Sequence, residues 1–216
     1  MNRRKTLAAA ALAASSLLIG TSAIAGPCVS APVATYTAAG FSCTVDGLSF
    51  SNIVVNATVS NGGSVTLGNF TPVNPLPDEF GLLLNYTSLA PGANSTADIT
   101  WTYNVSALAA AIDDAFLALA GNTSGSGQAQ VSEILSNGVT LSLNAPGSTT
   151  AIFAPAASLF VMKDQIDFVG AAGGTSTTSA LTNAFSTIAV PEPATLALLG
   201  TALVGLAAIR RRRKSV

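Results

Sequence analysis

Histidine is absent from the 216 residues, so chemistry in this chain must rest on carboxylates, two cysteines and scattered cations. Without an imidazole there is no conventional Ser-His-Asp or Cys-His nucleophile. Glycoside hydrolysis would need two facing carboxyl groups. The adjacent acid pairs are Asp78-Glu79 and Asp113-Asp114, and neighbours on a strand point to opposite faces. They read as solvated loop acids, and no catalytic residue is expected. Calcium is the one ion that Asp113, Asp114, Asp164 and Asp167 could take through hard oxygens. No EF-hand or repeat spacing accompanies them, so the expectation is no cofactor and no metal. Trp101 and Tyr103 could form a sugar-stacking platform, but they share one face of an alternating segment. Core packing accounts for them better.

The termini carry most of the positive charge. Between Gly26 and Ala189 nine acids stand against the single cation Lys163, a net charge of −8 for the body. Such a surface repels phosphate backbones, which argues against nucleic acid as a partner. Asn2-Arg3-Arg4-Lys5, an apolar core from Leu7 to Ile19, and small residues at Ala23 and Ala25 make the layout of a secretory signal peptide. Its core is too short to span a bilayer comfortably, so cleavage before Gly26 is expected. Export places Cys28 and Cys43 in an oxidising compartment, where a disulfide is expected and two free buried thiols are the alternative. Two thiols without histidine do not complete a zinc site.

The C-terminus has its own order. Pro191-Glu192-Pro193 precedes an uncharged apolar run from Ala194 to Ile209, and Arg210, Arg211, Arg212, Arg213 and Lys214 follow. At 1.5 Å per residue that run makes a helix of about 24 Å, short of the hydrocarbon core. Snorkelling arginines make up the difference. The cation cluster stays cytoplasmic by the positive-inside rule, which places Glu192 at the outer interface. The two prolines hold it extended and remove two backbone donors.

The segment between these ends must position any site. Asp46-Gly47 between two short runs predicts a hairpin. Leu48 to Val59 alternates with a slip that predicts a bulge at Ser51-Asn52. Asn61-Gly62-Gly63 is a turn, the proline-rich Thr71–Asp78 an extended loop or edge, and Phe80–Tyr86 a buried strand. Ser88–Thr96 reads as a turn-rich connection. Asp98–Val105 alternates cleanly and is the strongest strand. Ala107–Ala120 has helix-favouring composition but a weak helical stripe. Gly121–Gly127 reads as a flexible turn. Gln130–Leu135, Val139–Leu143, Ala157–Met162, Gln165–Val169 and Leu181–Val190 are further strands. This pattern predicts an all-β domain, a β-sandwich, with the signal peptide before it and a short C-terminal transmembrane helix after it.

The order of the C-terminal elements resembles the PEP-CTERM sorting domain of exported bacterial proteins. The resemblance implies recognition and cleavage by an exosortase, in Gram-negative cells that make extracellular polysaccharide. More loosely, Cys28, the Cys43 region, Asp98–Val105, Gly127–Glu133 and Val161-Met162-Lys163-Asp164 resemble a β-sandwich ectodomain that recurs among such proteins. That likeness implies that Ile112–Leu119 is strand rather than helix. The chain then divides into a signal peptide (1–25), an ectodomain (26–189) and a sorting signal (190–216). The expected role is a non-enzymatic surface or matrix protein. It would cross the inner membrane, be anchored there briefly, and reach the outer surface or medium. Exosortase and exopolysaccharide are the expected partners. A surface carbohydrate-binding module and a permanently anchored single-span protein are the alternatives, and an unfamiliar hydrolase is the remotest reading.

Overall fold

The structure, a computed structural model, describes residues 25–189. The expected signal segment other than Ala25, the Pro191-Glu192-Pro193 triplet, the apolar span and the Arg210–Lys214 cluster lie outside the described residues. No helix among the described residues is long and apolar enough to cross a membrane.

The elements run β1 (Gly26–Pro27), β2 (Ala31–Pro32), a single turn α1 (Val33–Tyr36), β3 (Ser42–Val45), β4 (Leu48–Ser60), β5 (Ser64–Val73) and β6 (Phe80–Ala90). Next come β7 (Thr96–Ala107), β8 (Ala110–Leu135), β9 (Thr140–Leu143), β10 (Gly147–Ala156), β11 (Ser158–Phe185) and β12 (Thr187–Ala189). Strands make up 76% of the described residues, and the fold is an all-β sandwich.

Two long strands build it. The first half of β11 pairs with β7 and with the second half of β8; its second half pairs with β6 and with the first half of β8. One layer is therefore β1-β3-β4-β7-β11-β8-β9, and the other β2-β5-β6-β11-β8-β10. The sheet folds over where the β8–β11 ladder slips, between Val169↔Gly127 and Gly174↔Gly125. Gly125 and Gly174 have φ of 61° and 142° there, values that L side chains rarely adopt. Ser126 Oγ reaches the carbonyls of Gly170 (3.1 Å) and Gly173 (2.8 Å) across the corner.

The expected hairpin, the bulge and the Asn61-Gly62 turn are all present, with Asp46, Asn52 and Asn61 at positive φ. The turn-rich connection expected at Ser88–Thr96 is present as Pro91–Ser95, with β6 running on to Ala90 and β7 starting at Thr96. One expectation of the strand pattern is corrected. Gly121–Gly127 is no turn but the corner of continuous β8, because β11 bends beside it at Gly170–Gly174 and the ladder resumes at Gly174↔Gly125. Gly147–Ala156, which the sequence pattern leaves unassigned, forms β10 against β8. The helix-favouring Ala107–Ala120 is strand from Ala110, paired with β10 on one side and β11 on the other. Tertiary pairing there outweighs local propensity.

The two layers close on an aromatic chain. Phe70 and Tyr103 each lie 5.0 Å from Trp101 between ring centroids, and Tyr36 lies 4.9 Å from Phe70. Trp101 and Tyr103 are fully buried, as their shared phase on β7 requires. Cys28 and Cys43 are bonded, pinning β1 beside β3. The bridge closes a 15-residue separation, for which chain entropy gives about 3 kcal/mol. Replacing both cysteines by serine is expected to lower the unfolding free energy by about that amount, read from the urea midpoint at unchanged slope.

Candidate functional site

Alternation along the first half of β11 turns Leu159, Val161, Lys163, Gln165, Asp167 and Val169 inward. Three of these six are polar, in the middle of the sandwich. Lys163 is a direct cross-strand neighbour of Trp101 on one side and Glu133 on the other. Both charged side chains have no exposed surface. Lys163 Nζ donates to Glu133 Oε2 and sits 5.5 Å from the centre of the Trp101 ring. Burial pushes the Lys163 ammonium down to about 8, against the opposing pull of Glu133.

The opposite layer completes this group. Asn183, on the second half of β11, donates through Nδ2 to Glu133 Oε1 (3.2 Å) and to the Phe116 carbonyl (2.8 Å). Its Oδ1 accepts from the Tyr103 hydroxyl. Burial, and then the charge of Glu133, raises the Tyr103 hydroxyl above its ordinary range, so it remains a donor. Four side chains from β7, β8 and both halves of β11 thus form one polar bridge across the core. Neither Glu133 nor Asn183 stands out in the sequence. The signal that was there is Lys163 itself, which falls on the same phase as Leu159, Val161 and Val169.

Asp167 anchors a second buried group. It accepts from Ser176 (2.7 Å), Thr178 (2.7 Å) and Gln165 (3.2 Å). Asp164 points to the other face of the sheet, so Asp164 and Asp167, two of the four acids considered for calcium, do not converge. Among the described residues no three histidine, cysteine or acidic side chains gather as a metal site. The loop reading of Asp113 and Asp114 is also corrected. Both lie on β8 and tie down Ser186, whose Oγ donates to Asp113 (3.0 Å) and whose backbone N–H donates to Asp114 (2.6 Å). They hold the chain just before β12.

The outer face of the β7–β11–β8–β9 region alternates with the buried face and carries polar side chains of these strands. A depression of about 160 Å³ is lined by Gln130, Ser132, Ser142, Asn144, Asp164 and Ile166. Phe160, Met162 and Ile134 are exposed alongside it. Register also places Asp98, opposite Ile166, diagonal to Asp164. Burial first, and then the Asp164 charge, pushes the Asp98 carboxyl up to about 6. No reading of adjacent residues could find this pair, which is 66 positions apart.

Glu79 is buried rather than solvated. Burial, and then the charge of Asp114, pushes its carboxyl up to about 7 from 4.5. The folded chain therefore holds a proton that the unfolded chain releases at lower pH, and stability falls as pH rises from about 4.5 to 7. Urea unfolding at the two ends of this window is expected to show a loss on the order of 1 kcal/mol after solvent screening. Glu79→Gln is expected to flatten the slope; an unchanged slope would locate the titration elsewhere.

Comparison with known proteins bears on the tail more than on the body. By sequence, no curated protein matches the chain. Among solved structures, TmCBM61, solved in complex with beta-1,4-galactotriose, matches at 10% identity and TM-score 0.29, over 60% of this chain and 86% of its own. The enzymatically active domain of bacteriophage CBA120 tailspike protein 4 matches at 15% identity and TM-score 0.29, over 64% of this chain but 20% of its own. The family 11 carbohydrate-binding module from Clostridium thermocellum matches at 10% identity and TM-score 0.22, over 63% and 91%. Overlaps this loose carry no argument about a ligand. Residues 189–213, by contrast, match the model of the PEP-CTERM protein-sorting motif, which starts on the final residue of β12. The chain therefore carries a PEP-CTERM sorting motif directly behind an all-β domain.

Proposed function

We propose that this is an exported, exosortase-processed, non-enzymatic protein of the cell surface or extracellular matrix, working beside exopolysaccharide. The observation that carries the reading is the sorting motif at residues 189–213, which begins on the last residue of β12. Cleavage at the signal segment would free Gly26, and the two terminal segments would orient the domain outward until the tail is cut at or near Glu192. Pulse-labelling in cells with and without the exosortase tests it, with intact mass read at each time. The mature chain is expected to lose Arg210–Lys214 only when the enzyme is present. Retention of those residues in both strains would remove the sorting reading and leave a permanently anchored protein.

A carbohydrate-binding role is the second reading, and the outer depression favours it. Gln130, Ser132, Ser142, Asn144 and Asp164 present the amide, hydroxyl and carboxylate groups that pair with sugar hydroxyls, beside the apolar Ile166. Trp101 has no part in it, being buried in the core. Titration of host exopolysaccharide fragments into the protein is expected to shift amide resonances of these residues, and Asp164→Ala is expected to weaken the shifts. Unmoved resonances would end the carbohydrate reading without touching the sorting one.

A further inference from the structure

We propose that Lys163 and Asn183 become joined by a self-made amide bond, a covalent cross-link between the two layers of the sandwich, with Glu133 as the proton carrier. The juxtaposition that suggests it is two reacting groups on one carboxyl. Lys163 Nζ donates to Glu133 Oε2, and Asn183 Nδ2 donates to Glu133 Oε1 at 3.2 Å. The nucleophile and the leaving nitrogen thus share one proton acceptor. The Tyr103 hydroxyl donates to Asn183 Oδ1, which polarises the amide carbonyl and stabilises negative charge as it develops there. All four side chains are fully buried, so water does not compete.

The step balances without an outside reagent. Glu133 takes a proton from the Lys163 ammonium, leaving a free amine and a carboxylic acid. The Nζ lone pair attacks Cγ of Asn183, and the carbonyl electron pair moves onto Oδ1, where Tyr103 donates. The carbonyl then reforms and the Cγ–Nδ2 bond breaks. Nδ2 takes the proton held by Glu133 and departs as ammonia, and Glu133 takes the surplus proton from Nζ. An ammonium, a carboxylate and a primary amide become a secondary amide, a neutral carboxylic acid and ammonia. The driving force is physical as well as chemical. A buried ion pair is costly to desolvate, and the reaction removes both of its charges. The lowered Lys163 value, about 8, assists the first proton transfer. The bond would clamp one half of β11 to the other across the glycine corner.

Peptide mapping of the full chain recovered from the exporting cell tests this directly. The mapped body is expected to be lighter by one ammonia, about 17 Da, with a branched peptide joining the Lys163 and Asn183 segments. Lys163→Arg, which keeps the cation but loses the amine, and Glu133→Gln, which keeps the shape but carries no proton, are both expected to restore full mass and linear peptides. Linear peptides at full mass from the unmodified chain would overturn the proposal and leave a static ion pair. Loss of ammonia that persists in Lys163→Arg would also overturn it, pointing to cyclisation of an asparagine on its own backbone. The result from the unmodified chain decides the matter even if a variant fails to fold.

Discussion

Alanine in place of Gly174 is expected to destabilise the domain by about 3 kcal/mol. Gly174 has φ of 142°, and a Cβ built there would lie 2.2 Å from the Ser124 carbonyl oxygen and 2.8 Å from the Ser126 nitrogen. The obstacles are backbone, so no side-chain rotation relieves them. The position is also where β8 and β11 resume pairing after the corner. Displacing it disturbs both layers, because each long strand belongs to both. Urea unfolding followed by far-UV circular dichroism would measure the loss. A loss below about 1 kcal/mol would mean that the corner yields more easily than its close approach implies.

Trp101→Ala is expected to cost about 4 kcal/mol. The ring has no exposed surface and lies 5.0 Å from both Phe70 and Tyr103. Its removal opens a cavity at the junction of the aromatic chain. The same cavity strips one wall from the Lys163 side chain, whose ammonium sits 5.5 Å from the ring centre. The penalty is therefore expected to exceed that of an equally buried leucine outside the polar bridge, such as Leu48→Ala, when the two are compared by urea midpoint. In the unmodified chain the emission of Trp101 is expected to be blue-shifted and indifferent to added sugars. Emission characteristic of a solvated indole would contradict the packing described here.

Much of the domain was legible one segment at a time. Thr44–Phe50 and Asp98–Val105 are local features, set by positive-φ turn residues and by period-two alternation, and both were found. The pairing of Cys28 with Cys43 followed from export and from the absence of any third cysteine. Gly121–Gly127 was misread because a glycine-rich run looks alike whether it breaks a strand or bends one. The distinction lies in Gly170–Gly174, more than 40 residues away, which bend with it. Ala107–Ala120 was ambiguous for the same kind of reason: alanine and leucine favour helix locally, and only β10 and β11 on either side make it a strand from Ala110.

The candidate sites divide along the same line. The order Pro191-Glu192-Pro193, apolar run, arginine cluster was readable directly, because that motif is defined by the linear sequence of residue types. The polar bridge of Tyr103, Glu133, Lys163 and Asn183 and the carboxyl pair of Asp98 and Asp164 were not readable in that way. Their members lie on different strands, or on two halves of one strand folded back on itself. What brings them together is strand register and the glycine corner, and register is a property of paired backbones that no single segment contains.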